Sequence, residues 1–159
     1  MVENKVLKTI RVFDGLSDEM LEKIGKISQL ETFDEERILF CQNQEKKRLY
    51  MLVSGKVFLN GRSSAGRSLT LDEVSAGRTF GISALMGESH STFTAVCAET
   101  CSIITISGQQ LLELFNKDFA LGHMLLLNVV ESFRSRTKMH TQQFLSSLAS
   151  HPEIKTLSV

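Results

Sequence analysis

The spacing of hydrophobic residues changes twice along the chain, and each change marks a change of predicted structure. Residues 1–30 have apolar positions at helical spacing, residues 31–107 have short apolar runs separated by Gly, Asn and Ser, and residues 108–149 return to helical spacing. A period of 3.6 favours helices, whereas short β-branched runs favour strands. We therefore expect one domain over residues 1–159, with an N-terminal helical segment, a β-rich middle, C-terminal helices and a tail at 150–159.

The first predicted helix begins at Ser17. Asp18 and Glu19 follow it, and a serine N-cap followed by acidic residues is a typical helix start because both satisfy the exposed backbone N–H groups there. Leu16 and Leu21 are placed to pack across this start. Apolar positions continue on one face, which predicts a helix to about position 30.

The middle of the chain contains seven short candidate strands. They cover residues 37–40, 49–53, 56–60, 68–73, 79–80, 92–98 and 101–107. Ser54 and Gly55 between two of them are typical of a two-residue hairpin turn, because Gly readily takes a positive φ. The stretch 61–66 predicts an exposed hairpin tip. So many short strands favour a sandwich, a jelly roll or a barrel.

Two helices are predicted after the strands, a short one at 109–116 and a long one at about 118–147. Two seams with a period of seven run along the long helix, formed by Phe119, Leu126, Phe133 and His140 and by His123, Val130, Thr137 and Phe144. Such seams are typical of a helix packed lengthwise on another helix. At about 1.5 Å per residue, the helix is about 40 Å long, which is more than a domain of this size covers.

The length and the seams predict a homodimer. We expect its interface to contain Phe119, Leu126, Val130 and Phe133. The alternative is a surface helix that packs along the sheet of its own chain.

The charge balance gives no indication of a nucleic-acid partner. The 159 residues include 18 basic and 18 acidic side chains, for a formal net charge of +0, whereas nucleic-acid-binding domains usually have a basic surface. The tail at 150–159 also lacks the pattern of a recognition helix, so direct DNA binding is not expected.

Export and membrane insertion are not expected either. The N-terminus interleaves charged residues with single apolar ones, unlike a signal peptide, and the longest apolar stretch, 119–130, is shorter than a membrane span. We expect a soluble, cytoplasmic protein without a membrane partner.

Three cysteines are present, Cys41, Cys97 and Cys101. An odd number in a chain of this size predicts reduced thiols rather than disulfides. Cys97 and Cys101 lie four residues apart in an apolar, strand-like run. Core packing is favoured for this pair over a metal or redox role, because no histidine or further cysteine is near in sequence.

Other residues offer little catalytic chemistry. His90 is the single histidine of the β-rich segment, whereas metal-dependent jelly-roll enzymes use two or three. His123 and His140 lie among apolar residues of the long helix, where packed or surface positions are expected. No P-loop, nucleophile elbow or HExxH motif occurs. We therefore expect neither an enzyme nor a bound cofactor.

Several short motifs match a known family in register. They are Phe13, Leu16, Ser17, Leu21 and Ile24; Phe33, Ile38, Phe40, Tyr50, Val53, Gly55, Lys56 and Val57; Phe80, Gly81, Ala84 and Leu85; and Thr94, Ala95 and Val96 followed by 103–107. Over about residues 13–144, the sequence resembles the cyclic-nucleotide-binding domain of catabolite activator protein, cAMP-dependent kinase regulatory subunits and gated channels. The resemblance implies a mainly β fold, a jelly-roll-like β-roll with an N-terminal helix and a long C-terminal helix.

The resemblance places the family's phosphate-binding cassette at residues 80–85. The implied ligand site comprises Phe80, Gly81, Ile82, Ser83, Ala84 and Leu85, followed by Ser91, Thr92, Phe93 and Thr94. The family has an acid for the ribose where this sequence has Ile82, and a Pro-Arg pair for the cyclic phosphate where it has Ser91 and Thr92. Because a charge-assisted hydrogen bond contributes roughly 1.5 to 3 kcal/mol, losing the arginine weakens that phosphate contact roughly ten- to a hundredfold or more.

A polar site can persist without those charges. Gly81 permits a close backbone approach, and the turn at 82–85 presents N–H groups to an anion. Hydroxyl and imidazole groups come from Ser83, Ser89, His90, Ser91, Thr92 and Thr94. Three interpretations stay open: a pocket that no longer binds nucleotides, weak binding of cAMP or cGMP, and binding of a different small ligand.

The long helix is implied to complete the site. In the family the terminal helix contacts the base, and Arg134, Thr137 and Lys138 are placed to do so. The basic residues Arg134, Arg136 and Lys138 are most simply explained as a solvated face. We expect a regulatory module in which a small ligand shifts the long helix and the helix reports to an unknown partner protein. The alternative is a ligand-free dimerising or adaptor module that kept the scaffold.

Overall fold

A computed structural model of the chain describes residues 1–45, 47–63, 65–86 and 90–150. The predicted tail after Ser150 and the predicted pocket residue Ser89 lie outside the described residues. The helices are α1 Asn4–Leu7, α2 Asp18–Lys26, α3 Gly108–Lys117 and α4 Phe119–Ala149, with 3-10 turns at Arg11–Phe13 and Ile82–Leu85. The strands are β1 Ser28–Phe33, β2 Ile38–Phe40, β3 Arg48–Ser54, β4 Val57–Arg62, β5 Ser68–Val74, β6 Thr79–Phe80, β7 Thr94–Cys97 and β8 Cys101–Ser107.

The strands form two four-stranded antiparallel sheets, in the orders β1-β8-β3-β6 and β2-β7-β4-β5. Leu52 and Ile103 are paired in register and pack against the second sheet, whereas the neighbouring pair Met51 and Ile104 packs against the helices. Each of the four is at most 1% exposed. A sheet covered on both faces explains the continuous apolar runs in its strands. The predicted fold class, a mainly β jelly-roll-like roll with flanking helices, is confirmed.

The seven predicted strands are all present, with ends within two residues of the prediction. The strand β1 was not predicted, and the predictions of a helix to about position 30 and of a β-roll from 31 are wrong. α2 ends at Lys26 and β1 starts at Ser28. The Ser28 side chain is buried and donates a 2.7 Å hydrogen bond to the Ile24 carbonyl, while its backbone pairs with Ile106. Pairing with β8 therefore outweighs the helical spacing of the apolar residues.

The long helix α4 has 31 residues and is about 46 Å long. Its start is capped by Asp118, whose carboxylate accepts a 3.0 Å hydrogen bond from the Leu121 N–H. Its first half packs on the domain through Leu121, Leu125 and Val129. The Asn128 side chain adds a 3.0 Å hydrogen bond to the carbonyl of Val12. None of the helices in the described ranges combines the length and the apolar character needed to cross a membrane.

Candidate functional site

The predicted cassette, residues 80–85, has at its second position a glycine that no other residue can replace without strain. Gly81 has φ 73°, in the left-handed region that side chains disfavour. A Cβ there would lie 3.0 Å from Cδ2 of Tyr50 and 3.1 Å from the carbonyl oxygen of Arg48. The turn therefore folds tightly against β3. At its far end, a Cβ on Gly108 would lie 2.2 Å from the Ala84 carbonyl oxygen, so α3 also begins in direct contact with the cassette.

The apolar side chains of the cassette are packed into the protein. Ile82 is 6% exposed and Ala84 is 8% exposed, and both belong to the core between the first sheet and the helices. Leu85 packs against the same core, while Ser83 is half-buried. The position of the family's ribose-binding acid thus holds a core side chain, and the cassette offers a ligand mainly its backbone.

The first cassette residue, Phe80, packs with two aromatic rings beside the cassette, Phe40 and Tyr50. Phe80 stacks on Tyr50 with ring centroids 5.3 Å apart, and Phe40 lies 5.4 Å from Tyr50 and 6.2 Å from Phe80. Burial raises the pKa of the Tyr50 phenol. Phe80 is 1% exposed and belongs to the core between the sheets. Its ring therefore anchors the start of the cassette in that core.

The segment that follows, from Ser91 to Thr94, is tied to the loop between β2 and β3. Ser91 is buried, and its backbone exchanges hydrogen bonds with Asn43 (2.7 Å) and Gln44 (2.9 Å). Its hydroxyl accepts a 3.1 Å hydrogen bond from the Phe93 N–H and donates to the Phe93 carbonyl. Both hydrogen bonds of the Ser91 hydroxyl are therefore made within its own loop, which leaves it unavailable to a ligand.

The next two hydroxyls differ in their availability. Thr94 accepts a 2.9 Å hydrogen bond from the Gln42 N–H, whereas Thr92 is exposed. Phe93 is half-buried against the core between the sheets. Of the predicted polar residues in this segment, Thr92 is the one that presents its side chain to solvent.

The predicted helix residues are not brought to the cassette within one chain. Arg134, Thr137 and Lys138 are exposed. The Arg134 guanidinium forms two hydrogen bonds, of 2.8 and 2.7 Å, with the carboxylate of Glu131 on the same helix. This pairing raises the pKa of Arg134 and lowers that of Glu131.

A different pair from α4 faces the roll. Arg136 donates a 3.1 Å hydrogen bond to the carbonyl of Thr79, and its Nε lies 3.4 Å from Oδ2 of Asp72. Nη2 of Arg78 lies 3.4 Å from the same oxygen, and Nε2 of His140 lies 3.9 Å from it. We call this group, Asp72, Arg78, Thr79, Arg136 and His140, the Asp72 clamp.

The Asp72 clamp is largely removed from solvent. The side chain of Asp72 is 4% exposed and that of Arg136 is 18% exposed. Burial lowers the pKa of Arg136, as does the charge of Arg78, while Asp72 opposes both effects. The interpretation of Arg136 as part of a solvated face is therefore wrong. The sequence contained one indication of this contact. Asp72 and Val74 alternate on the inward face of β5, and a buried acid needs a charged partner.

A cavity of about 530 Å³ lies between the roll and α4. Its walls are the turn Arg11–Phe13 with the loop after it, the connection between β5 and β6, and the face of α4 between Asn128 and Met139. None of the predicted ligand-binding residues lines it. The cavity and the cassette are thus separate places on the roll.

The four predicted interface residues are exposed on the single chain. The exposed fractions are 78% for Phe119, 44% for Leu126, 61% for Val130 and 43% for Phe133. They form an apolar stripe on the side of α4 that does not pack on the domain.

The described ranges contain no group of three His, Cys, Asp or Glu residues placed to hold a metal ion. Cys97 and Cys101 are buried in the core between the sheets as free thiols. Burial and the neighbouring Cys101 raise the pKa of Cys97 to about 12. The core-packing interpretation of this pair is confirmed.

Comparison with known proteins finds a matching family model and similar solved structures. The family model described as the cyclic nucleotide-binding domain matches residues 30–118. A structure of a candidate cyclic nucleotide-binding protein from Geobacter metallireducens GS-15 is 31% identical, covering 86% of this chain and 99% of that chain with a TM-score of 0.74. No curated protein matches the sequence.

Two more distant structures share the fold. A cyclic nucleotide-binding domain from Methylobacillus flagellatus KT is 16% identical over 99% of this chain and 84% of that chain, with a TM-score of 0.81. The regulatory domain of Toxoplasma gondii PKA, crystallised with cAMP, is 16% identical over 81% of this chain and 49% of that chain, with a TM-score of 0.67.

Proposed function

Because the chain belongs to the cyclic nucleotide-binding domain family, we propose that it is a regulatory module that binds a small ligand at the cassette and transmits binding through α4. The candidate ligand is a weakly bound cyclic nucleotide, since a similar fold from Toxoplasma gondii was crystallised with cAMP. The site would comprise the backbone of residues 81–85, the exposed side chain of Thr92 and the nearby, half-buried Thr94.

One observation carries the link from cassette to helix. Arg136 of α4 is hydrogen-bonded to the carbonyl of Thr79, which directly precedes Phe80 of the cassette. A ligand that moves the cassette would therefore pull on α4 through this direct, partly buried hydrogen bond. Such a ligand can shift the helix only as far as its contacts differ between the two helix positions.

The exposed stripe of α4 supports a homodimer as the form that is regulated. Phe119, Leu126, Val130 and Phe133 repeat at intervals that return to one side of a helix, and a second copy would cover them. Arg134, Thr137 and Lys138 lie on the same exposed half of the helix, so in a dimer they would be placed at or beside the seam. A shift of α4 would then alter the surface that a partner protein reads.

A specific observation favours the second candidate, a ligand-free dimerising or adaptor module. Ile82 is packed in the core, and the Ser91 hydroxyl is used by its own loop. The first feature leaves no acid for the ribose, and the second leaves the Ser91 hydroxyl unavailable to a ligand. In that case the Asp72 clamp would hold α4 permanently on the roll.

The two candidates differ in whether small molecules bind. The first test is mass spectrometry of compounds released from the purified protein, together with calorimetry of cAMP and cGMP. Gly81→Ala should abolish binding because the added Cβ meets Tyr50 and Arg48, whereas Gly66→Ala should retain it, since Gly66 has a similar φ of 78° and open space around it. No bound compound and no heat at millimolar nucleotide would favour the adaptor.

A further inference from the structure

We propose that the cavity between the roll and α4 is a second binding site, for a small hydroxylated organic molecule that carries a phosphate or carboxylate group. The proposal does not rest on ligand binding at the cassette. At about 530 Å³, the cavity is in the range of pockets that hold small organic molecules rather than only an inorganic ion.

Three guanidinium groups from three parts of the chain reach this cavity. Arg11 comes from the first 3-10 turn, Arg78 from the connection before β6, and Arg136 from α4. Arg11 is exposed and makes no side-chain hydrogen bond or ion pair with any described residue. A guanidinium has five N–H donors, and the described contacts of Arg78 and Arg136 use at most two on each. Convergent arginines with spare donors are suited to an oxyanion.

The hydroxyl of Thr79 is a second, independent indication of a ligand. Thr79 lines the cavity and is 6% exposed. Its Oγ1 has no hydrogen-bond partner within the described ranges. A buried polar atom without a partner is destabilising. A rotation of the Thr79 side chain would turn this buried atom towards the cavity, where a ligand oxygen would supply the partner. The hydroxyls of Ser75, Ser132 and Ser135 also line the cavity, which favours a ligand with hydroxyl groups.

Two acidic residues line the cavity as well, and neither cancels the arginines. Glu131 is already paired with Arg134 through two hydrogen bonds. Asp14 is exposed at the edge of the cavity, where its carboxylate can accept hydrogen bonds from ligand hydroxyls. Asp72 balances one of the two arginines that contact it. The remaining positive charge fits an organic oxyanion.

Occupancy of this site would strengthen the attachment of α4 to the roll. A ligand held by Arg78 and Arg136 bridges the β5–β6 connection and the helix, alongside the contact that Asp72 already makes. Binding would therefore stabilise the docked position of the second half of α4. A molecule that binds only this position raises the melting temperature with its concentration.

The test uses the full chain and five probes in calorimetry and thermal melting: glucose 6-phosphate, 3-phosphoglycerate, citrate, inorganic phosphate and glucose. We expect at least one of the first three to bind and to raise the melting temperature, inorganic phosphate to bind at least tenfold more weakly, and glucose not to bind. No binding by any of the three organic oxyanions at millimolar concentration would overturn the proposal. Equal affinity for inorganic phosphate would overturn the assignment of an organic ligand.

Variants locate the site. Arg11→Gln should lower the affinity at least tenfold without unfolding the protein, because Arg11 makes no side-chain bond that the fold needs. Arg67→Gln removes another exposed arginine, in the hairpin between β4 and β5, and should change the affinity less than twofold. Thr79→Val should also weaken binding while preserving the shape of the side chain. Equal affinities for the Arg11 and Arg67 variants, or displacement of the probe by cAMP, would contradict a separate site.

Discussion

Arg136, in the second half of α4, donates a 3.1 Å hydrogen bond to the backbone carbonyl of Thr79, the residue directly before the cassette. The same guanidinium lies 3.4 Å from the buried carboxylate of Asp72. One side chain thus joins the long helix to the strand that leads into the cassette. This contact defines which part of α4 can respond to changes in the roll.

Replacing Arg136 should loosen the helix and destabilise the fold. Arg136→Met keeps much of the side-chain volume but leaves Asp72 with Arg78 as its main cation, so we expect a loss of roughly 1 to 3 kcal/mol in the free energy of unfolding. Arg134→Met is the matched control, since its pair with Glu131 is exposed and contributes little to stability. Urea unfolding of both variants checks this, and equal losses would contradict a special role for Arg136.

The exposed stripe of α4 should hold a dimer. Wild-type protein should sediment as a dimer at micromolar concentration, and Leu126→Glu should dissociate it because a charge would be trapped in an apolar seam. Leu112→Glu changes a leucine of similar exposure on α3 and should leave the dimer intact. A wild-type monomer at high micromolar concentration would rule the seam out as an interface.

Affinity for cyclic nucleotides should be low and should rise with one added charge. We expect cAMP and cGMP to bind at roughly tens of micromolar or more weakly. Thr92→Arg places a guanidinium at an exposed position where the family has one, and should tighten binding about tenfold or more. Thr100→Arg, also at an exposed position, is the control. Sub-micromolar binding by the wild type in calorimetry would show that another cation replaces the missing arginine.

Restoring the acid at position 82 is a different matter, because the Ile82 side chain is packed in the core. Ile82→Glu would bury a carboxylate without a partner, and we expect a loss of roughly 3 kcal/mol or more in stability rather than a gain in affinity. A stable Ile82→Glu variant with raised affinity would mean that this side chain can turn towards the ligand. Thermal melting together with calorimetry separates the two results.

The buried cysteines should be inert. At pH 8, a thiol reagent should label Cys41 readily and reach Cys97 and Cys101 only on unfolding, because both thiols are buried in the core between the sheets. The pKa of Cys97, raised to about 12, also keeps this thiol protonated. Unfolded Cys97 would titrate near pH 9.0, so above that pH the unfolded chain binds fewer protons than the folded one. This thiol therefore makes stability fall as the pH rises from about 9 towards 12. Rapid labelling of all three thiols would contradict the packing described.

Local sequence features predicted most of the fold. The tight turn at Gly55, with φ 94°, and the short strands follow from turn chemistry and β-branched runs. The prediction that this turn forms a hairpin is wrong, because β3 and β4 do not pair and lie in different sheets. The match of the cassette depended on Phe80 and Gly81. The strand β1 was missed because its identity depends on pairing with β8, whose paired residues lie 68 to 78 positions further along the chain. Long-range pairing of this kind leaves little trace in local spacing.

The contacts of α4 were harder to predict than its length. A period of seven describes the apolar stripe, but it does not establish which polar residues face the roll. Arg136 and His140 do so because Asp72 lies buried beneath them, and Arg134 and Lys138 do not. Contacts with residues distant in sequence determine which face of a helix packs on the domain. The sequence therefore predicted the basic residues of α4 but not which of them contact the roll.

Hydrogen–deuterium exchange of the full chain with and without saturating cAMP tests the link between cassette and helix most directly. The account predicts slower exchange in residues 81–85 and also in residues 133–140, and the loss of the second effect in Arg136→Met but not in Arg134→Met. Protection of the cassette alone in the wild type, or no protection at millimolar cAMP, would contradict it.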